Sequence, residues 1–156
     1  MQPASFSIEG PCLGKAGVCE SILRSLPAWF GIEEAIVHYV TEIEHLPTFL
    51  ASDSEDVVGF VSLKQHYPSS AEVYVIAVRQ QVHRQGVGRA LVGRVKEWLR
   101  GQGVEYLQVK TLGPSHPDAG YAKTRAFYAA VGFRPLEELT ELWDERNPCL
   151  IMVQRL

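Results

Sequence analysis

The amino-acid sequence predicts an α/β protein in which helices flank a mixed central β-sheet. Two observations support this fold class: short alternating or uniformly apolar runs are interleaved with longer segments of helical periodicity, and glycine or proline separates many of them. We expect a single domain over residues 1–156, because the chain has the usual length of one domain and contains no repeat or low-complexity linker.

The first half of the chain is predicted to hold a strand, two helices and a hairpin. The first strand is expected to end at Gly10-Pro11, since this pair is a strong turn signal. An aromatic-rich turn containing Trp29 separates the two helices. The predicted elements are a strand at 6–8, helices at 13–26 and 31–45, and hairpin strands at 49–51 and 57–63.

The second half begins with the most apolar strand of the chain. Residues 71–78 are almost all apolar, which is typical of a strand covered on both faces. The element order predicted for the whole chain is β-α-α-β-β-β-α-β-α-β-β. After the apolar strand we expect helices at 86–100 and 120–131 and strands at 104–111, 133–136 and 148–153.

Composition excludes several function classes. The net charge of −3 gives no electrostatic reason to expect binding to nucleic acid or to an anionic membrane. Cys12, Cys19 and Cys149 show no metal-ligand spacing, so no metal is expected. No apolar run approaches the roughly 20 residues that span a bilayer, and residues 1–5 do not begin a secretory signal. A cytoplasmic protein is therefore expected.

A glycine-containing loop between the apolar strand and the long helix is the most informative segment. Gly86 and Gly88 let the backbone turn sharply and approach a ligand closely. Unpaired N–H groups and the positive dipole end of the helix that starts there favour an anion such as a pyrophosphate. Arg84 and Arg89 add positive charge. Taken alone, the pattern also fits a tight strand-to-helix turn with solvated arginines.

Two motifs in residues 71–133 resemble the GNAT acetyltransferase superfamily. The loop His83-Arg84-Gln85-Gly86-Val87-Gly88 is similar to the family's Gln/Arg-x-x-Gly-x-Gly/Ala pyrophosphate loop, with histidine at the first position. The second motif, Thr124 to Phe133, looks like the family's helix that ends in Tyr-x-x-x-Gly-Phe. The resemblance implies the GNAT fold, acetyl-CoA as co-substrate and an acetyltransferase activity.

The same resemblance implies the donor-site residues. Tyr128 would protonate the departing CoA thiolate as general acid, and backbone N–H groups near Ala77 would bind the acetyl carbonyl. Tyr121 replaces an asparagine that is common in the family. The implied acetyl-CoA contacts are Ile76, Ala77, Val78, His83, Arg84, Gln85, Gly86, Val87, Gly88, Arg89, Ala90, Tyr121, Thr124, Phe127 and Tyr128.

The base that deprotonates the acceptor amine has two candidate positions. Glu72 matches the place of the glutamate base in the histone-acetylating branch of the superfamily, although a solvent-exposed glutamate at a strand end is an equal alternative. His116, with Asp118 in the same loop, is the second candidate, because histidine accepts protons near neutral pH. A water relay to either group is also open.

For the acceptor, the sequence favours a small-molecule primary amine that attacks directly in a ternary complex. Alternatives are a protein N-terminus or lysine, and a non-catalytic acyl-CoA sensor. A homodimer is implied only by analogy with the family. The candidate acceptor-binding residues are Trp29, Tyr74, His116 and Trp143, with Tyr67 as a further candidate.

Overall fold

A computed structural model describes residues 5–156. Its helices and strands follow the predicted order, with one additional 3₁₀ turn at Gln80–Val82. The prediction about a signal sequence concerned residues 1–5, of which Met1–Ala4 lie outside the described residues. The elements are β1 (Ser7–Cys12), α1 (Ala16–Arg24), α2 (Glu33–Ile43), β2 (Thr48–Ser52), β3 (Val57–Tyr67), β4 (Ser70–Val78), α3 (Val87–Gly101), β5 (Tyr106–Leu112), α4 (Ala119–Ala130), β6 (Arg134–Asp144) and β7 (Asn147–Arg155).

The strands form a mixed sheet with the order β1-β2-β3-β4-β5-β7-β6, which confirms the predicted α/β class. β4 and β5 pair in parallel, whereas β1–β2, β2–β3, β5–β7 and β6–β7 pair antiparallel. The chain divides into two compact units, which are described separately. The first runs to Lys64 and adds Tyr74–Trp98; the second holds Gln65–Val73 and Leu99–Leu156. The single domain over 1–156 stays a prediction.

The core of the first unit lies beneath α1. Ile22 and Leu23 follow Cys19 by three and four positions, so the three residues lie on one helix face, and all are fully buried. They pack in one cluster with apolar side chains of the strands, including Phe60. Thr48, also fully buried, hydrogen-bonds the Ser62 hydroxyl at 2.8 Å, so these buried polar groups are satisfied.

In the second unit, β5 and β7 pair antiparallel, and the end of α3 precedes β5. Gly103 adopts a φ of 80°, and Val104 N–H donates to the Leu99 carbonyl at 3.0 Å, which together form a Schellman cap. Along β5, Leu107 and Val109 are buried, as the predicted alternation requires.

Three predicted strands ended too early: β1, β6 and β3, which was predicted as residues 57–63 and continues to Tyr67. β1 does not end at Gly10-Pro11 but continues to Cys12, because a shift in its register with β2 accommodates the glycine at a φ of 137°. β6 was predicted as residues 133–136 and is 11 residues long. It forms the sheet edge and most of its side chains are exposed, so it lacks the apolar alternation from which strands are recognised.

Candidate active site

The loop between β4 and α3, in the first unit, begins with a tight turn. Val82 N–H donates to the Arg79 carbonyl and His83 N–H to the Gln80 carbonyl, both at 3.1 Å. The backbone then becomes left-handed at Arg84, with a φ of 65°, and again at Gly86, with a φ of 84°. A left-handed φ is unfavourable for a residue with a Cβ. Glycine at position 86 has no Cβ and avoids this backbone strain, whereas Arg84 retains it.

The amino end of α3 presents backbone donors. Its first helical hydrogen bond runs from Ala90 N–H to the Gly86 carbonyl at 3.0 Å. The N–H groups of Val87, Gly88 and Arg89 therefore precede the helical ladder, as the first N–H groups of any helix do. Together with the helix dipole they form an anion-binding end of the kind that the sequence predicts.

His83 contributes to the shape of this loop through its side chain. Its Nε2 lies 2.6 Å from the Val78 carbonyl oxygen and must carry a hydrogen, because a carbonyl only accepts. Its ring also packs against the Trp29 ring in a T-shaped arrangement, at a centroid distance of 5.7 Å. The histidine that departs from the family pattern thus links the loop to the end of β4 through a side-chain hydrogen bond.

Gly59 on β3 is a supporting residue that sequence reasoning missed. A Cβ at this position would lie 3.2 Å from side-chain atoms of both Val78 and Val87, and 3.3 Å from the Ala77 carbonyl oxygen. These distances are shorter than ordinary Cβ contacts, so the neighbouring atoms would have to move to make room for a side chain. Gly59 therefore lets the end of β4 and the start of α3 lie close to β3, although an isolated glycine inside a strand is only a weak signal.

Three of the predicted donor-binding side chains in the loop are exposed. Arg84, Gln85 and Arg89 all project into solvent. Gln85 Nε2 makes a long hydrogen bond of 3.4 Å to the Gln81 carbonyl. The two guanidinium groups add charge near the helix end, where a phosphate would be accessible to them. Their contact with acetyl-CoA, like that of Ile76, Ala77 and Val78, stays a prediction.

Glu72, in the second unit, is the centre of a polar cluster. Only 7% of its side chain is exposed, so the alternative of a solvated strand-end glutamate was wrong. His66 Nε2 lies 2.7 Å from Glu72 Oε1, and Lys110 Nζ lies 3.1 Å from the same oxygen. Gln108 Nε2 is a further donor at 3.5 Å. The carboxylate is thus paired and hydrogen-bonded, as a buried charge requires.

α4, also in the second unit, carries the predicted general acid. Tyr128 is only 6% exposed, and its ring packs 5.6 Å from Phe127 and 5.7 Å from Phe133 between centroids. Tyr121 N–H donates to Asp118 Oδ1 at 3.1 Å, and Thr124 Oγ1 donates to the Gly120 carbonyl. Asp118 is therefore an N-cap, which accounts for its presence in the loop without a catalytic role.

The predicted acceptor-binding residues lie in different places. In the first unit, Trp29 contacts His83, and the ring of Tyr74 lies 5.5 Å from that of Tyr39. In the second unit, Trp143 is 46% exposed near the end of β6. His116 lies in the loop before α4, and its Nδ1 is a buried atom without a hydrogen-bond partner among residues 5–156. The role of each in acceptor binding stays a prediction.

A cavity of about 310 Å³ opens on the second unit, on the same strands as the Glu72 cluster. None of its lining side chains carries a formal charge unless His66 is protonated. Its volume is at the lower end of the range of small-molecule pockets. The lining residues are His66, Tyr67, Ser70, Ala71, Tyr106, Gln108 and Val153.

His66, Gln108 and Lys110 are polar residues that the sequence analysis did not select. Gln108 and Lys110 alternate with buried residues on β5, so a common face for them could have been inferred. Their position beside Glu72 follows from the parallel register, in which Glu72 pairs with Gln108. Register between strands 36 residues apart has no local sequence signal.

Comparison with known proteins identifies the family. The model of the acetyltransferase (GNAT) family matches residues 17–133, which is three quarters of the chain. The chain belongs to the GNAT acetyltransferase family. A mycothiol acetyltransferase from Jonesia denitrificans is 30% identical over 116 residues. That match covers 74% of this chain but only 32% of the relative, so the chain spans about a third of the length of the curated relative that it matches.

Solved structures share the GNAT fold over nearly the whole chain. A GNAT-family protein from Desulfovibrio desulfuricans superposes with a TM-score of 0.81 at 21% identity, covering 97% of this chain and 99% of that one. A GNAT acetyltransferase from Elizabethkingia anophelis with acetyl-CoA bound gives 0.74 at 18% identity, covering 97% and 98%. The predicted family and fold class are confirmed, and the matching family model is that of acetyltransferases. Among the described residues, no helix is long and apolar enough to cross a membrane.

Proposed function

We propose that this protein transfers the acetyl group of acetyl-CoA to the primary amine of a small molecule, by direct attack in a ternary complex. The family supplies the acetyltransferase class. The name of the Jonesia relative, a mycothiol acetyltransferase, agrees with a small-molecule acceptor. Because that relative is about three times as long as the match, its acceptor is not transferred to this chain.

The observation that carries the donor half of this proposal is the amino end of α3. The N–H groups of Val87, Gly88 and Arg89 precede the first helical hydrogen bond, and Arg84 and Arg89 are exposed beside them. A pyrophosphate needs several donors that converge and nearby positive charge, and this end of the helix offers both. A Cβ at Gly86 would meet nothing within 4 Å, so the space beside the loop is open.

The proposed chemistry is the exchange of a C–S bond for a C–N bond. The neutral amine donates its lone pair to the thioester carbonyl carbon, and the sulfur leaves with the electrons of the C–S bond. The ammonium form of the acceptor loses two protons in all: one ends on the CoA sulfur and the other reaches solvent. Tyr128 is the proposed donor to sulfur, and Glu72, directly or through a bonded group, is the proposed route for the other proton.

A protein N-terminus or lysine is the second candidate acceptor. A homodimer and a cytoplasmic location remain predictions from the sequence.

Thermal unfolding with and without acetyl-CoA tests the donor site, with dephospho-CoA and NAD as matched controls. A ligand at about 100 times its Kd stabilises the folded state by roughly 2.7 kcal/mol, which is a clear shift for a protein of this size. A shift specific to acetyl-CoA supports the proposal. If millimolar acetyl-CoA gives no shift, the proposed donor site is wrong.

The acceptor is then sought with a panel of amines, in which release of the free CoA thiol is measured. The panel comprises spermidine, glucosamine, tyramine, lysine and a short peptide with a free N-terminal alanine. Acetylation of any small amine in preference to the peptide supports the proposal, and preference for the peptide favours the second candidate. Binding of acetyl-CoA without acetylation of any amine favours a non-catalytic sensor.

A further inference from the structure

We propose that Trp29 is a positioning residue for the donor site: through His83 it holds the donor loop, residues 79–86, in the shape that binds the pyrophosphate of acetyl-CoA. The inference rests on the proposed acetyl transfer and deepens it, because it moves Trp29 from the acceptor, where the sequence placed it, to the donor. The observation behind it is the T-shaped contact between the rings of Trp29 and His83, whose planes lie 75° apart.

The side chain of His83 is held in two ways. Its Nε2 donates to the Val78 carbonyl at 2.6 Å, and its ring packs against Trp29 at a centroid distance of 5.7 Å. One hydrogen bond fixes a single atom of the imidazole, and the ring can still pivot about that bond. The contact with Trp29 acts on the ring itself and fixes its plane. Because His83 is exposed to solvent, these two contacts together set its orientation.

The residue that follows His83 needs this support. Arg84 has a φ of 65°, which is unfavourable for a residue with a Cβ. Such a backbone conformation persists only where the surrounding structure holds it. The anchored His83 holds the chain directly before Arg84, and the proposed pyrophosphate donors, the N–H groups of Val87 and Gly88, follow within a few residues. Trp29 therefore contributes to donor binding without a contact of its own with acetyl-CoA.

A tight turn between α1 and α2 presents the indole of Trp29. The N–H groups of Trp29 and Phe30 both donate to the Leu26 carbonyl, at 3.1 and 2.9 Å. A Cβ at Gly31 would lie 2.9 Å from the Pro27 carbonyl oxygen, so the turn would have to open to admit any other residue there. The backbone that carries Trp29 thus has a shape set by its own turn.

An ion pair joins the two ends of this turn. The Arg24 guanidinium, at the end of α1, donates to both carboxylate oxygens of Glu33, at the start of α2, at 2.8 and 2.9 Å. Glu20 accepts a third hydrogen bond from the same guanidinium at 2.8 Å. A bidentate pair fixes direction as well as distance. Because the pair is exposed, it orients the turn more than it stabilises the fold.

The next aromatic residue of the turn has different contacts. Phe30 packs against Tyr39 of α2 at a centroid distance of 6.0 Å, and Tyr39 packs against Tyr74 at 5.5 Å. Trp29 contacts the donor loop instead. The turn therefore offers a matched pair: replacement of Trp29 should affect donor binding, and the same replacement of Phe30 should not.

The test measures the Kd of acetyl-CoA by calorimetry in four forms of the whole chain: wild type, W29L, W29F and the control F30L. Loss of the aromatic contact should raise the Kd about fivefold in W29L. W29F keeps a ring that can pack against the imidazole, so its Kd should lie between those of wild type and W29L. F30L should match wild type. Thermal unfolding without ligand checks that each variant folds, and W29M replaces W29L if that variant does not.

Two further measurements separate positioning of the donor loop from a merely structural role. The double variant W29L/H83A should have the Kd of H83A alone, because Trp29 acts through His83 and the effects of coupled residues do not add. With the best amine of the panel, W29L should raise the KM for acetyl-CoA about fivefold, while kcat and the KM for the amine stay within about twofold of wild type. A generally loosened fold would change all three constants.

The outcomes are distinct. A Kd of W29L within about 1.5-fold of wild type overturns the proposal, because an aromatic contact contributes more than that. A raised KM for the amine with an unchanged Kd of acetyl-CoA also overturns it and returns Trp29 to the acceptor side. Additive effects in W29L/H83A overturn it as well. In all three cases the proposed acetyl transfer stands. If wild type does not bind acetyl-CoA, the proposed function fails, and this inference fails with it.

Discussion

The imidazole of His83 donates a hydrogen bond of 2.6 Å to the backbone carbonyl of Val78, and so ties the start of the α3 loop to the end of β4. The pyrophosphate loop of the family has glutamine or arginine at this position. Histidine also carries a hydrogen-bond donor in its side chain. The bond holds two segments that flank the proposed pyrophosphate site.

Loss of this bond should weaken donor binding. A hydrogen bond of this kind contributes about 1 kcal/mol net, so His83→Ala is expected to raise the Kd of acetyl-CoA about fivefold. Isothermal titration calorimetry measures the change, and His45→Ala serves as an exposed-histidine control. An unchanged Kd in His83→Ala would show that the loop keeps its shape without the bond.

Gly86 and Gly93 offer a matched pair of glycine substitutions around the start of α3. Neither added Cβ would meet an atom within 4 Å, but only Gly86 has a left-handed φ. Gly86→Ala should therefore destabilise the protein by about 1 to 2 kcal/mol and weaken acetyl-CoA binding. Gly93→Ala lies within the helix and should stabilise by about 0.5 to 1 kcal/mol. Urea unfolding compares the two; equal effects would contradict the role assigned to the φ of Gly86.

Tyr128→Phe tests the predicted general acid. The ring contacts with Phe127 and Phe133 do not involve the hydroxyl, so the fold and acetyl-CoA binding should be kept. Turnover should fall by about 100-fold or more, because the thiolate loses its proton donor. Thiol release and the acetyl-CoA-dependent melting shift are measured on the same preparation. Full turnover in the variant would remove Tyr128 from the mechanism.

The buried thiol of Cys19 leads us to expect a lower free energy of unfolding at alkaline pH. Burial raises the pKa of its thiol from 9.0 to about 12. In the unfolded chain the thiol ionises near its ordinary value, whereas the folded chain keeps it protonated, so ionisation favours unfolding between about pH 9 and 12. The free energy of unfolding should fall with pH in this window, and less steeply in Cys19→Ala, although that variant is less stable overall. Identical slopes in the two proteins would contradict the prediction.

The sequence by itself determined the element order and the site loop. The glycines and arginines of residues 84–89 follow the most apolar strand directly, and a helix N-terminus binds anions through local geometry alone. The amphipathic stripe of α3 and the cap at Gly103 are likewise local features. For this reason the loop and the helix could be predicted from the sequence without knowledge of the fold. The match to the family model includes both of them.

The tertiary structure decided which polar groups meet. Glu72 could be selected from the sequence, but its partners could not, because His66 arrives from β3 and Lys110 from β5. Strand register and the pairing of strands distant in sequence set these contacts, and neither has a local signal. The physical reason is the range of the interaction: turn and helix-end chemistry depends on neighbours along the chain, whereas a buried ion pair depends on the assembled sheet.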